Sequence, residues 1–172
     1  MSGSGLPSGT EIVFLWGAPG VGKTTVGRRL ARALRRPFID TDALIVERAG
    51  MSIAAIFEQM GEPGFRALES AALAAAAAEP GAVVSLGGGA VLAEHNRELI
   101  ARHGRSIHLR ASIATIERRL RRQRVERPLL AGGKPLSTLV AERLPLYESA
   151  DHCVDVDSRR LDDIVAEICS LL

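Results

Sequence analysis

The chain carries a five-residue apolar run, Ile12-Val-Phe-Leu-Trp16, that stops at Gly17-Ala18-Pro19-Gly20-Val21-Gly22-Lys23-Thr24. A run without polar alternation fits a strand buried on both faces. Beyond the glycines, Val26, Leu30 and Leu34 recur four residues apart with arginines between them. That is the pattern of an amphipathic helix, expected over 23–34. Strand, glycine-rich turn and helix in this order surround one point with backbone N–H groups and the positive end of a helix. The spacing G-x-x-x-x-G-K-[S/T] is the phosphate-cradling pattern, matched here in full. The reading therefore gives Gly17, Ala18, Pro19, Gly20, Val21, Gly22, Lys23, Thr24 and Thr25 to the phosphates of ATP. Lys23 reaches the β- and γ-phosphates, and the Thr24 hydroxyl ligates Mg2+.

This feature sets the frame for the rest of the chain. Short apolar runs at 38–40, 83–86, 106–110 and 152–156 read as further strands. Helical stretches alternate with them: 42–49, 53–60, 64–79, 93–103, 112–123, 136–148 and 161–172. Gly61 separates the second and third of these, and Pro145 is expected to disturb 136–148. Strands alternating with helices predict an α/β fold, a five-stranded parallel sheet flanked by helices in three layers. Ligands in such folds gather at the carboxyl ends of the strands.

Composition narrows the function classes. One domain is expected from 172 residues. A net charge of +2 gives no argument for nucleic acid or a membrane surface. Cys153 and Cys169 fit neither a disulfide framework nor a metal pattern, and the four histidines form no ligand-spaced cluster. The Gly/Ser/Pro-rich residues 1–11 predict a disordered lead and lack the form of a signal peptide. The expected location is the cytoplasm, with no membrane span, and the expected state is a monomer.

Candidate acceptor-side residues follow in order. Asp40 and Asp42 end the second strand, at the same mouth as the phosphate loop. A carboxylate beside a transferring phosphoryl group holds a metal or accepts the proton of an attacking hydroxyl; the alternative for Asp42 is a helix N-cap. Arg66 and Glu69 share a helix face, which by itself reads as a surface ion pair. Gly87, Gly88 and Gly89 follow a buried strand and permit either close ligand approach or a flexible turn. Six arginines lie between Glu117 and Pro128. They suit a segment closing over ATP, and the lack of aromatics there counts against single-stranded nucleic acid. Arg143 stands four residues before Tyr147 as a further anion contact.

In order and spacing these pieces resemble the shikimate kinases over nearly the whole chain, about 12–172. The match comprises the phosphate loop, Asp40-Thr-Asp42, Phe65-Arg66 with Glu69, Gly87-Gly88-Gly89, Arg127-Pro128-Leu129-Leu130 and Arg143-Leu-Pro-Leu-Tyr147. The resemblance implies transfer of the ATP γ-phosphoryl group to the 3-hydroxyl of shikimate, a step toward chorismate and the aromatic amino acids. It also implies roles. Asp40 holds Mg2+ through water, and Asp42 meets the reacting hydroxyl. Arg66 and Arg143 clamp the shikimate carboxylate, with Glu69 orienting Arg66. The three glycines contact shikimate, and Arg127 approaches the phosphates. Lys23, Asp42 and Arg127 form the implied catalytic set. Residues 42–69 form the substrate-binding segment and 118–134 a mobile lid. Arg119 and Arg159 are candidates on the adenine side, where the family often has a proline and this chain continues with Leu161 and Asp162. Rival readings are another small-molecule kinase such as a gluconate kinase, a ligand-binding regulator that kept the pocket, and a structural nucleotide-binding module.

Overall fold

The computed structural model describes residues 10–123 and 134–172. Five strands form one parallel sheet: β1 Ile12–Trp16, β2 Phe38–Asp40, β3 Val83–Ser85, β4 Gly104–Arg110 and β5 His152–Asp155. Their spatial order is β2-β3-β1-β4-β5. Val13 pairs with Val83 on one side and Arg105 on the other, which fixes β1 at the centre. The helices among the described residues are α1 Lys23–Leu34, α2 Thr41–Ala49, α3 Ile53–Ala77, α4 Glu94–His103, α5 Ile113–Gln123, α6 Leu136–Tyr147 and α7 Leu161–Leu171.

The sheet is covered on both faces because successive strand residues point opposite ways. Ile12, Phe14 and Trp16 face one core, with Leu73 and Ala76 of α3, Ile100 of α4 and Tyr147 of α6. Val13 and Leu15 face the other, with Val26 and Leu30 of α1 and Ile164 and Ile168 of α7. Aromatic side chains are scarce, and buried alanines such as Ala72 and Ala76 let α3 lie close to its neighbours. A third cluster of Ile45, Ile56, Phe65 and Ala72 packs α2 against α3, giving the segment above the β2 edge a small core of its own. Among the described residues no helix is long and apolar enough to cross a membrane.

Local differences from the sequence reading have identifiable causes. The helix expected from Asp42 starts one residue earlier, because Asp40 supplies the cap and accepts from the Asp42 and Ala43 amides. The stretches 53–60 and 64–79 join as α3, with non-helical backbone at Gly61 (φ 66°, ψ −177°) marking the expected break. Pro145 does not interrupt α6. It forgoes only the bond its missing N–H would have made. The Glu148 amide still reaches Leu144 O at 2.9 Å. A short 3₁₀ turn, Ala90–Leu92, follows the glycine triplet and was not anticipated.

Candidate active site

The phosphate loop runs from the carboxyl end of β1 into α1, and Gly22 stands as the left-handed N-cap of that helix. The Lys23 ammonium donates to Gly17 O and Ala18 O, both at 2.9 Å, so it lies over its own loop. The Arg119 guanidinium, from α5, donates to Val21 O of the same loop. At its far end the loop meets the acceptor-side residues: a cavity of about 100 Å³ is lined by Lys23 and Thr24 together with Asp40, Asp42 and Gly88.

The Thr24 hydroxyl donates to Asp40 Oδ2 at 2.6 Å, while Asp40 Oδ1 caps α2. Both oxygens of Asp40 are thus engaged, and Asp42 is not consumed as a cap. An all-oxygen pair of hydroxyl and carboxylate suits a hard cation such as Mg2+. The bond to Asp40 also leaves lone pairs on Thr24 Oγ1 for a metal. The residues present therefore fit the ion. Among the described residues no group of three or more His, Cys, Asp or Glu side chains is poised to hold a metal. The protein's share of such a site is small, as expected where phosphates and water complete the shell.

On the acceptor side, three elements converge on the turn after β3. Thr41, fully buried at the start of α2, donates to Ser85 O at 3.2 Å and accepts from the Gly87 amide at 3.1 Å. Arg66 of α3 donates to Glu69 at 2.7 Å and to Glu62 at 3.1 and 3.3 Å. Arg143 of α6 donates to Gly88 O at 3.1 Å. The glycines are required for close approach. A Cβ on Gly87 would lie 2.7 Å from both Asp42 Oδ1 and Glu69 Oε1, and one on Gly89 would lie 2.1 Å from Arg66 Nη1. The triplet is where two carboxylates and two guanidinium groups meet one backbone turn.

Against known proteins, a protein-family model for shikimate kinase matches residues 19–172. A shikimate kinase of Geobacter metallireducens is 42% identical over 169 residues, covering 96% of this chain and 94% of that protein. The chain belongs to the shikimate kinase family. A further shikimate kinase, of Symbiobacterium thermophilum, is 46% identical over 165 residues, 93% of this chain and 95% of the relative. Among solved structures, the shikimate kinase of Acinetobacter baumannii in complex with shikimate superposes with a TM-score of 0.84. It is 33% identical and covers 94% of this chain and 92% of its own. A gluconokinase of Sinorhizobium meliloti superposes with a TM-score of 0.59 at 21% identity, covering 94% of this chain and 91% of its own, a likeness of fold alone.

The residues around the glycine triplet hold charge out of water. Glu69 is 2% exposed. Burial pushes its carboxyl above the ordinary range; Arg66 opposes that rise and Asp42 adds to it. Burial works against the Arg66 charge, and the Glu69 and Glu62 carboxylates more than offset it, holding the guanidinium firmly protonated. The pair, which by spacing alone reads as a surface feature, is half buried, and Glu69 is wholly so. Burial likewise raises the Tyr147 phenol, which stays a donor.

Two of the expected nucleotide-side residues stand apart from the contacts described above. Arg159 donates to Asp155 O and to the Glu167 carboxylate of α7, following Ser158 in a left-handed conformation (φ 52°). These bonds hold it beside α7. Arg127 and most of the expected lid over 118–134 lie outside the described residues. Others were missed. Thr41 stands between two aspartates, and no sequence signal marked its buried bonds. Tyr147 stood only as a landmark, yet its hydroxyl donates to Gly88 O at 2.6 Å. His108, given no role, is buried against the Tyr147 ring with centroids 5.4 Å apart.

Proposed function

We propose that this chain carries out the reaction of its family, moving the γ-phosphoryl group of ATP to the 3-hydroxyl of shikimate on the path to aromatic amino acids. The observation that supports it best is the single cavity lined by Lys23 and Thr24 on one side and by Asp42 and Gly88 on the other. A donor phosphate held by the loop faces an acceptor held at the triplet within that space. In this reading Asp42 takes the proton of the attacking hydroxyl or orients it. Arg66 and Arg143 bind the carboxylate, whose two oxygens match the guanidinium fork. Glu69 aims Arg66, and the Gly88 and Gly89 backbone lies under the ring. The transfer needs alignment and charge neutralisation more than covalent help. Lys23 supplies positive charge at the β- and γ-phosphates, joined from outside the described residues by Arg127, while Arg119, bonded to Val21 O of the loop, serves on the adenine side. Thr24 and Asp40 would hold Mg2+, which when bound neutralises phosphate charge. Residues 42–69 serve as the acceptor-binding segment of a single domain. The protein acts as a cytoplasmic monomer on two small molecules.

The test is ADP release from ATP and Mg2+ with and without shikimate. Release that requires shikimate is expected. A protein that binds ATP and releases ADP only with gluconate, or with neither acceptor, would contradict the proposal.

A further inference from the structure

The Gly88 carbonyl accepts two bonds from one helix. Arg143 Nη1 lies 3.1 Å away and Tyr147 Oη 2.6 Å away. The two residues are four apart on α6, so they share a face. Only Arg143 has been given a role toward the acceptor. Tyr147 is 1% exposed, and the sheet grips it at two further points. Trp16 at the end of β1 donates its indole N–H to Tyr147 O at 3.0 Å. The His108 ring of β4 packs on the phenol. The residue is a strut: two central strands hold its body, and its hydroxyl reaches the turn that follows a third.

What the strut fixes follows from peptide geometry. The Gly88 carbonyl and the Gly89 N–H belong to one planar unit and point in opposite directions. A glycine turn rotates such units at little steric cost. Pinning the carbonyl toward Tyr147 aims the Gly89 N–H away from it. The Gly87 amide is already engaged by Thr41. Gly89 is also the residue against which Arg66 Nη1 is packed, so turning this peptide moves the floor beneath that guanidinium.

We propose that Tyr147 is a positioning residue for the acceptor: its hydroxyl locks the Gly88–Gly89 peptide, and through it the relation between that amide, Arg143 and Arg66. This rests on the shikimate kinase reading above. The phenol touches no substrate atom and takes no part in phosphoryl transfer. It sets how much ordering the turn must undergo when an anionic acceptor binds.

The test is Tyr147→Phe, which keeps the ring against His108 and removes one oxygen. Losing one buried hydrogen bond of this kind predicts a KM for shikimate raised roughly five- to twentyfold. The KM for ATP stays unchanged and kcat stays within about threefold. Calorimetric titration of shikimate should weaken by the same factor. The single tryptophan, Trp16, is bonded to the same residue, so its emission reports whether the unliganded variant stays packed. Unchanged emission with the selective KM rise supports the role. An unchanged KM for shikimate overturns it. So does a red-shifted emission with both KM values and kcat damaged together, which marks a merely structural residue. A wild type run alongside that shows no shikimate-dependent ADP release overturns the function reading, and this role with it.

Discussion

The two halves of the candidate site are built in different ways. The phosphate side is contiguous: nine consecutive residues, 17–25, most of whose ligand-facing groups are backbone amides or the end of a helix. The acceptor side is assembled. Asp42, Arg66, Glu69, the glycine triplet and Arg143 come from separate segments, and α6 reaches the triplet across 55 residues of sequence. The first side is set by local conformation. The second depends on buried charges balancing one another, with Glu69 raised by burial and held in check by Arg66. A site of the first kind should tolerate distant change. A site of the second kind should fail selectively, losing the acceptor while keeping the nucleotide.

The largest effect expected from breaking that contrast is at Asp42. Asp42→Asn keeps the shape and removes the carboxylate proposed to take the hydroxyl proton or orient it. Its kcat with shikimate should fall roughly 10²- to 10⁴-fold. ATP affinity, measured by titration, should hold. A smaller effect is expected at Gly89, whose φ of −106° any residue adopts. Gly89→Ala should fold normally, yet its Cβ displaces the Arg66 guanidinium. An overpacking cost of about 1–3 kcal/mol predicts a KM for shikimate raised roughly 5- to 100-fold, with the KM for ATP unmoved. If the triplet were only a flexible turn, this variant would be silent.

The smallest effect concerns stability. His108 is 3% exposed, and burial, with Arg110 and Lys23 nearby, lowers its pKa to about 4. The unfolded chain takes up that proton near pH 6.5, so stability is full above this value and is lost as the pH falls toward 4. At pH 5.5 the loss is about 1 kcal/mol. Denaturant titrations at pH 7.5 and 5.5 should show it, and His108→Phe should flatten this part of the slope.

The same contrast explains what the sequence could convey. The phosphate loop was legible because its function is local: spacing alone dictates the geometry. The five parallel strands were legible for a related reason, since β1 is buried throughout and reads as an unbroken apolar run. The acceptor side was legible only as an ordered set of weak signals. Whether Asp42 was a cap or a functional carboxylate depended on Thr24, whose hydroxyl joins Asp40 and whose partner Asp40 then caps α2. Whether the Arg66–Glu69 pair was a surface feature depended on the α2–α3 packing that buries Glu69. Tyr147 belonged to a motif that gave it no role, and His108 to none, because their significance lies in contacts across the sheet. The bond from Arg159 to Glu167 of α7, made after a left-handed residue, had no sequence signal either.

Separate calorimetric titrations of shikimate and of ATP with Mg2+ into Arg66→Lys test the central claim most directly. Lysine keeps the charge and loses the fork. With about 1.5–3 kcal/mol assigned to a hydrogen bond on a charged group, shikimate affinity should fall roughly 10- to 100-fold while ATP affinity stays the same. Unchanged shikimate affinity, or equal loss of both ligands, would contradict an acceptor site built from converging side chains beside an independent phosphate loop.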